Sequence, residues 1–228
     1  MPDPVVAAPI PKPREDLYYF CDETSFIGED FMGIGGLAIR RDRLSETANK
    51  LAAIREARGA RGRIKWESTR DVNLDVRRDY VDYMVGLVTE GKIHLHLRFA
   101  PFSQYEHPGP RRVYDTVSKM YYQLLLHRAV RNYGTKCRIF IRPDDGPCTS
   151  ELEQFVEALH IDGQLRYKTA ADCIHSIKCI NSRKEPLLEF LDVTLGALTA
   201  FRNGRHLRPG TRDAKRILAE HGAMRESW

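Results

Sequence analysis

The hydrophobic pattern switches repeatedly between strand and helix character along this chain. Leu17 to Cys21, within LYYFCDETSF, is an unbroken apolar run of strand length, as expected of a strand buried on both faces. FMGIGGLAIR (31–40) reads as a second strand, and its glycines predict close backbone packing or a bulge. The short link over 22–30 predicts an antiparallel hairpin between the two. Residues 43–57 have helical character, and GRIKW (62–66) reads as a short third strand. A helix is predicted over 75–90, closed by Gly91, and the alternating KIHLHLRFA (92–100) is a strand. A long helix follows over 111–132, then the strand CRIFIR (137–142), stopped by Pro143-Asp144-Asp145-Gly146-Pro147. Residues 149–160 read as a helix and CIHSIKCI (173–180) as a strand. Pro186 opens a helix that runs to about Asn203-Gly204, and a last short helix spans about 211–221. This order predicts an α/β fold. Its mixed sheet is antiparallel at the start, continues through right-handed strand–helix units and is flanked by helices.

Composition sets limits without choosing a function. The 228 residues, 42% apolar and 29% charged, suffice for one well-buried globular domain. No run approaches the roughly 18 apolar residues of a membrane span. The opening MPDPVVAAPIPKPRED lacks the charged start and apolar core of a signal peptide. It reads as a Pro-rich arm over 1–15, disordered unless a partner holds it, ahead of a single domain over 16–228. Five cysteines, odd in number and without a C-x-x-C pair, point to a reducing cytoplasm and away from a structural zinc site. A net charge of +5 permits a polyanionic partner without requiring one.

The acids are where chemistry can enter. Asp22 and Glu23 end the first strand, either as ordinary turn residues or as carboxylates delivered to a metal or substrate. On the helix opened by Pro186, Leu187, Leu188, Leu191, Leu195 and Leu198 form one apolar stripe, widened by Phe190, Val193 and Ala197. The narrow line left over is Glu189, Asp192, Gly196 and Thr199, so the two acids share a face with room beside them. A carboxylate on a largely buried helix needs a partner, either a cation such as an arginine or a bound metal. RIKWEST places Lys65 and Glu67 at the end of the predicted third strand, with a capped loop as the simpler reading. Asp144 and Asp145 follow the strand over 137–142, where Asp-Gly after Pro is also ordinary turn chemistry. Several core strands and one buried helix therefore end on, or carry, carboxylates.

With those residues in view, the chain resembles a bacterial family known as domain of unknown function 3800, itself similar in fold to ribonuclease H and RuvC-type nucleases. The resemblance rests on Asp22-Glu23-Thr24-Ser25 after the first strand and on Ile64-Lys65-Trp66-Glu67 mid-chain. It rests most specifically on Ser182 followed by Leu187-Leu188-Glu189-Phe190-Leu191-Asp192 and then Gly196-Ala197. It covers about residues 17–203 and departs at two places. Thr24-Ser25 stands where the family has Ser-Gly, and Glu189 stands where it has Gln. The resemblance implies a ribonuclease-H-like fold and a metal-dependent nuclease of phage defence or mobile-element biology. It implies Asp22, Glu67, Asp144 or Asp145, and Asp192 as catalytic carboxylates; the departure at Glu189 adds a charge beside Asp192, as a further metal ligand or an arginine's partner. Such nucleases hold two Mg²⁺ or Mn²⁺ ions roughly 3.5 to 4 Å apart on hard oxygen ligands.

Other features are less specific. Lys65 can meet a phosphate or simply pair with an acid. FRNGRHLRPGTRDAKR (201–216) offers Arg202, Arg205, Arg208 and Arg212 as a phosphate guide for DNA or RNA, or as a solvated C-terminal face. His94 and His96 share a strand face, as metal ligands or merely its polar side. Tyr114, Tyr121 and Tyr122 offer base stacking or core packing. The leading expectation is metal-dependent hydrolysis of nucleic acid, with no membrane partner. The alternatives are a non-catalytic nucleic-acid-binding subunit and a structural subunit of a multi-protein complex or homo-oligomer, docked through the N-terminal arm.

Overall fold

The computed structural model describes residues 14–24, 29–101 and 110–224. Among these residues, five strands form one mixed sheet: β1 (Glu15–Thr24), β2 (Met32–Arg40), β3 (Ile93–Ala100), β4 (Cys137–Pro143) and β5 (Ile174–Ile177). Their spatial order is β3-β2-β1-β4-β5. β1 to β3 pair antiparallel, whereas β4 runs parallel to β1 and β5 parallel to β4. Six helices flank the sheet: α1 (Arg41–Ala57), α2 (Leu74–Thr89), α3 over 110–133, α4 (Val156–Tyr167), α5 (Pro186–Arg202) and α6 (Asp213–Met224). The middle turns of α3, Leu125–Val130, are π-helical.

β1 is central, and its alternation divides the core in two. Tyr19 and Cys21 pack on one face with Val117, Tyr121 and Leu124 of α3. Phe20 packs on the other with Tyr80 of α2 and with Leu187, Phe190 and Leu191 of α5. A residue's parity along β1 therefore decides which helix layer it meets. The glycines of β2 allow close approach. A Cβ on Gly33 would lie 2.1 Å from Thr199 Oγ1, and one on Gly36 would lie 2.1 Å from the Tyr19 hydroxyl. No bulge is needed, because the β1–β2 register is unbroken from Leu17 opposite Arg40 to Thr24 opposite Gly33.

α5 begins as its sequence demands. Pro186 occupies the first turn, where its missing N–H costs nothing, and the Glu185 carboxylate accepts a hydrogen bond from the Leu187 N–H at 3.2 Å. From Leu187 to Ala200 only Asp192 escapes full burial. Truncating a side chain such as Phe190 there would cost about 3–5 kcal/mol.

Three expectations need correction. Residues 62–66 form no strand. The segment is an irregular loop pinned by Arg77, which is 1% exposed. The Arg77 guanidinium donates to the Lys65 carbonyl at 2.8 and 3.1 Å and to the Asn73 carbonyl at 3.0 Å, so backbone groups find side-chain partners instead of a neighbouring strand. The helix expected over 149–160 starts late: Leu152–Phe155 is a 3₁₀ turn before α4. The strand expected over 173–180 shortens to β5, with only an isolated bridge from Asp144 to Ile180 beyond it. The Pro-rich arm lies outside the described residues except for its end, where Arg14 pairs with Asp172 and Glu15 already begins β1. No helix among the described residues is long and apolar enough to cross a membrane.

Candidate functional site

β1 and β4 run side by side until β4 stops at Pro143, while β1 stays paired to β2 as far as Thr24. Cys21 lies opposite Pro143, and the Asp144 N–H donates to the Cys21 carbonyl at 3.0 Å. Asp22, still paired to β2, and Asp144 therefore lie next to each other where β4 stops, near the carboxyl ends of neighbouring parallel strands, where open α/β sheets gather chemistry. Asp192 reaches this edge from α5, which packs on the Phe20 face of β1.

The charges at this edge perturb one another. Asp22 is 6% exposed and no cation pairs with it among the described residues. Burial pushes its carboxyl well above the usual range, and the negative charges of Asp192, Glu23 and Asp144 push it further. The Glu23 N–H, donating to Asp22 Oδ1 at 2.9 Å, opposes this only partly. Asp192 keeps an edge in solvent, yet burial is still the largest influence on it and raises its pKa. The Trp66 N–H, donating to Asp192 Oδ2 at 2.7 Å, and the charges of Lys65 and Arg63 work against that rise, and Asp144 adds to it. Asp144 is better satisfied. Its Oδ1 accepts from the N–H groups of Ser182 and Asp145, each at 3.0 Å, and Arg63 approaches Oδ2 at 3.3 Å.

Glu23, of opposite parity to Asp22, turns to the α3 face, where the Tyr121 hydroxyl donates to it. Burial raises its pKa, the Tyr121 and Cys148 hydrogen bonds lower it, and Asp144 raises it. Tyr121 is thus a core residue with a polar task at the site's back wall. Tyr122 donates to Asp162 at 2.6 Å on the helix surface.

Two expected acids are placed differently. Glu67 is exposed, its side chain at 68%, and pairs with Lys215 Nζ at 2.9 Å, so it stands apart from the buried carboxylates. Without a strand over 62–66, nothing directs its side chain inward. Glu189 is buried but committed. It pairs with Arg55 of α1 and accepts from the Ile64 N–H at 3.3 Å. Its position one turn before Asp192 is as the helix spacing predicts, and the arginine reading of this acid is the one realised. Asp145 is exposed. The room beside Gly196 is filled by Trp66, since a Cβ there would lie 2.3 Å from the indole Cγ.

The basic candidates divide as well. Lys65 makes no ion pair among the described residues, and its charge bears on Asp192. Arg202 lies over the rings of Phe31 and Phe99, at 4.9 and 5.0 Å. Arg205 and Arg208 both pair with Glu29, at 3.3 and 2.8 Å. Arg212 has no ion pair among the described residues. His94 and His96 are hydrogen-bonded to tyrosines: His94 to Tyr133 at 2.7 Å, and His96 to Tyr19 at 3.1 Å. Burial lowers the His96 pKa to about 4, keeping it neutral. All five cysteines are free thiols.

Sequence reasoning missed Arg63 and Arg77. Arg63 joins Asp144 to Ser182, and Arg77 holds the loop whose Trp66 N–H meets Asp192. Neither stands out locally, because arginines are frequent in this chain and their partners lie far away in sequence.

Could these acids hold a cation? Among the described residues, no group of three or more His, Cys, Asp or Glu side chains is gathered at ligating distance. The donor chemistry nevertheless fits Mg²⁺ or Mn²⁺. Mg²⁺ typically takes one or two carboxylates, keeps several waters and completes its shell with substrate phosphates. Asp22 and Asp192 supply two hard-oxygen groups whose ionised forms only a nearby positive charge would favour.

Compared with known protein families and with curated proteins, the chain matches none.

Proposed function

We propose that this chain is a divalent-metal-dependent hydrolase of phosphodiester bonds in DNA or RNA, built on a ribonuclease-H-like fold. One observation carries the reading. Two acids from opposite ends of the sequence, Asp22 near the end of the central strand and Asp192 on a buried helix, come together where β4 stops, and Asp192 is the largest charge acting on Asp22. A fold gains nothing in stability by burying a carboxylate beside others without a cation, so such an arrangement favours function. The mixed sheet, antiparallel at its start and parallel later, supports the fold assignment, as does the resemblance carried by the α5 motif.

In this reading Asp22 and Asp192 are the principal ligands, and Asp144 borders them on the next strand. A bound divalent ion would make a water nucleophilic at neutral pH and neutralise the oxygen that leaves. The Trp66 N–H fixes one oxygen of Asp192 and leaves the other for a ligand. Arg63 and Ser182 fix Asp144, and the Lys65 ammonium is the cation best placed near Asp192 to meet a phosphate. Glu67 and Glu189 fall outside this set.

The test is cleavage of labelled single- and double-stranded DNA and RNA with Mn²⁺ or Mg²⁺. The natural chain should cut at least one of them, and Asp22→Asn and Asp192→Asn should each lose about 100-fold or more in rate. Undiminished cutting by either variant refutes the mechanism. Salt-sensitive binding with no turnover by the natural chain would instead establish a nucleic-acid-binding subunit.

A further inference from the structure

β3 is an edge strand, and α3 leaves part of it uncovered. Between the two lies a cleft of about 250 Å³. Its lining includes Leu97 and Arg98 from the strand and Gln123, His127, Arg128 and Arg131 from the helix. Arg98, Arg128 and Arg131 are exposed. Among the described residues none of the three makes an ion pair or donates a side-chain hydrogen bond, and no acid lines the cleft. Arg131 lies over the Tyr167 ring, 5.6 Å from its centre, a contact that occupies the face of a guanidinium and leaves its N–H edge for another partner. His127 is fixed by Gln123 at 2.8 Å and by the Tyr167 hydroxyl. Burial lowers the His127 pKa, and the charges of Arg166, Arg98, Arg131 and Arg128 all push it the same way.

Two further observations mark this cleft. The helical turn that carries His127 and Arg128 is π-helical, a rare geometry that recurs at functional sites. The strand register also ties the cleft to the acids. Glu23, Ile34 and Arg98 form one row across β1, β2 and β3, so their side chains share the α3 face, where Ile34 is core. Arg98 is thus two strand spacings, about 10 Å, from Glu23 and at the same end of the sheet. α3 then runs from Tyr121, which meets Glu23, to Tyr133, which meets His94 near the start of β3.

We infer that this cleft binds the phosphodiester backbone of a nucleic-acid strand, with one phosphate at each of the three arginines, and leads the strand towards the acids' end of the sheet. The choice of nucleic acid rests on the function proposed above, and the choice of an anionic chain rests on the cleft. Its volume is below the roughly 300 Å³ at which enclosed small-molecule sites begin, so it fits the groups of a long ligand laid across it. Guanidiniums meet phosphate through paired, directional hydrogen bonds, which makes arginine the cation suited to a backbone.

Binding of a labelled single-stranded oligonucleotide is measured in EDTA, without metal-dependent cutting, over a range of salt concentrations. The natural chain is compared with two triple variants. One combines Arg98→Gln, Arg128→Gln and Arg131→Gln. The other combines Lys50→Gln, Lys136→Gln and Lys168→Gln, which removes the same charge from exposed lysines elsewhere. Melting curves show that both are folded. The arginine triple should lower the salt slope by about 2, at roughly 0.7 per phosphate contact, and so weaken binding about 100-fold at about 0.1 M salt. The lysine triple should leave the slope within about 0.5 of the natural value. An unchanged slope in the arginine triple overturns the inference, as does an equal fall in both triples or no binding by the natural chain. A poly-glutamate peptide that binds as tightly as an oligonucleotide of equal charge, and is lost in the arginine triple, would overturn the strand as occupant in favour of an acidic protein partner. Cleavage assayed separately with Mn²⁺ keeps the two readings apart. A reduced slope in a chain that cuts nothing leaves the cleft standing and removes the nuclease, and cutting with an unchanged slope does the opposite.

Discussion

β1 carries an aspartate near each end, and the two have opposite fates. Asp16 meets Arg41 at 2.9 Å and Arg138 at 2.6 Å. Burial alone would raise its carboxyl pKa, but the two guanidiniums bring it below the usual range. Among the described residues Asp22 has no such partner, and burial together with Asp192, Glu23 and Asp144 drives it the other way. One residue type on one strand is thus a fastening at one end and, among the described residues, a buried carboxylate without a cation at the other. The deciding factor is which cations the neighbouring elements bring. α1 and β4 supply arginines at the first end. At the second, Arg63 and Arg55 are spent on Asp144 and Glu189.

Catalysis should separate the two ends most strongly. Asp22→Asn is expected to lose about 100-fold or more in metal-dependent cleavage, whereas Asp16→Asn should stay within about threefold of the natural rate when both are folded. A matching loss in Asp16→Asn, measured below its melting temperature, would erase the distinction.

The next largest effect is metal linkage. An ion that binds only the folded chain at 100 times its dissociation constant adds about 2.7 kcal/mol of stability. Mn²⁺ should therefore raise the melting temperature of the natural chain and of Asp16→Asn alike, and that of Asp22→Asn much less. Equal shifts in all three would place the ion elsewhere.

Without metal, the two substitutions should change stability with opposite signs. The raised Asp22 carboxyl makes the folded state hold its proton more tightly than the unfolded chain. Its ionisation therefore costs stability as pH rises from near 3.8 towards its raised folded value. Asp22→Asn in EDTA should be more stable than the natural chain, by a margin that grows across that interval. The depressed Asp16 carboxyl contributes stability above about 3.8 that disappears as pH falls through its lower folded value. Asp16→Asn should be less stable at neutral pH by about 1 kcal/mol, since its arginine partners are largely exposed. Urea melts across pH decide this, and destabilisation of both variants in EDTA at pH 8 would contradict the unpaired character of Asp22.

The smallest effect belongs to an acid outside both ends. Glu67→Gln breaks an exposed pair with Lys215 and should change stability by no more than about 0.5 kcal/mol. It should leave the metal-induced shift intact. A lost shift would return Glu67 to the ligand set.

Much of this was legible along the chain. The apolar run Leu17–Cys21 is the central strand, the glycines of 31–40 mark close packing, and the leucine stripe from Leu187 is the face α5 buries. These signals survive because periodicity and turn chemistry are local. That Asp22 and Asp192 belong to one set of acids was what the family resemblance implied, not something periodicity showed. The sequence did not disclose the loop over 62–66. Ile64 and Trp66 are apolar in a strand-like run, but their N–H groups donate to the acids of α5, and the Lys65 carbonyl between them accepts from Arg77. Nor did it disclose which arginine meets which acid. Glu189 with Arg55, Asp144 with Arg63 and Asp16 with Arg138 are pairings between distant segments, and any of the chain's arginines satisfies the same local rule. The sequence by itself determined the elements, the buried faces and the set of available acids, because each follows from neighbours a few residues away. Only the tertiary structure decided which acids are neutralised and which stay buried beside like charge, because that depends on the cations that folding carries to each end of the sheet.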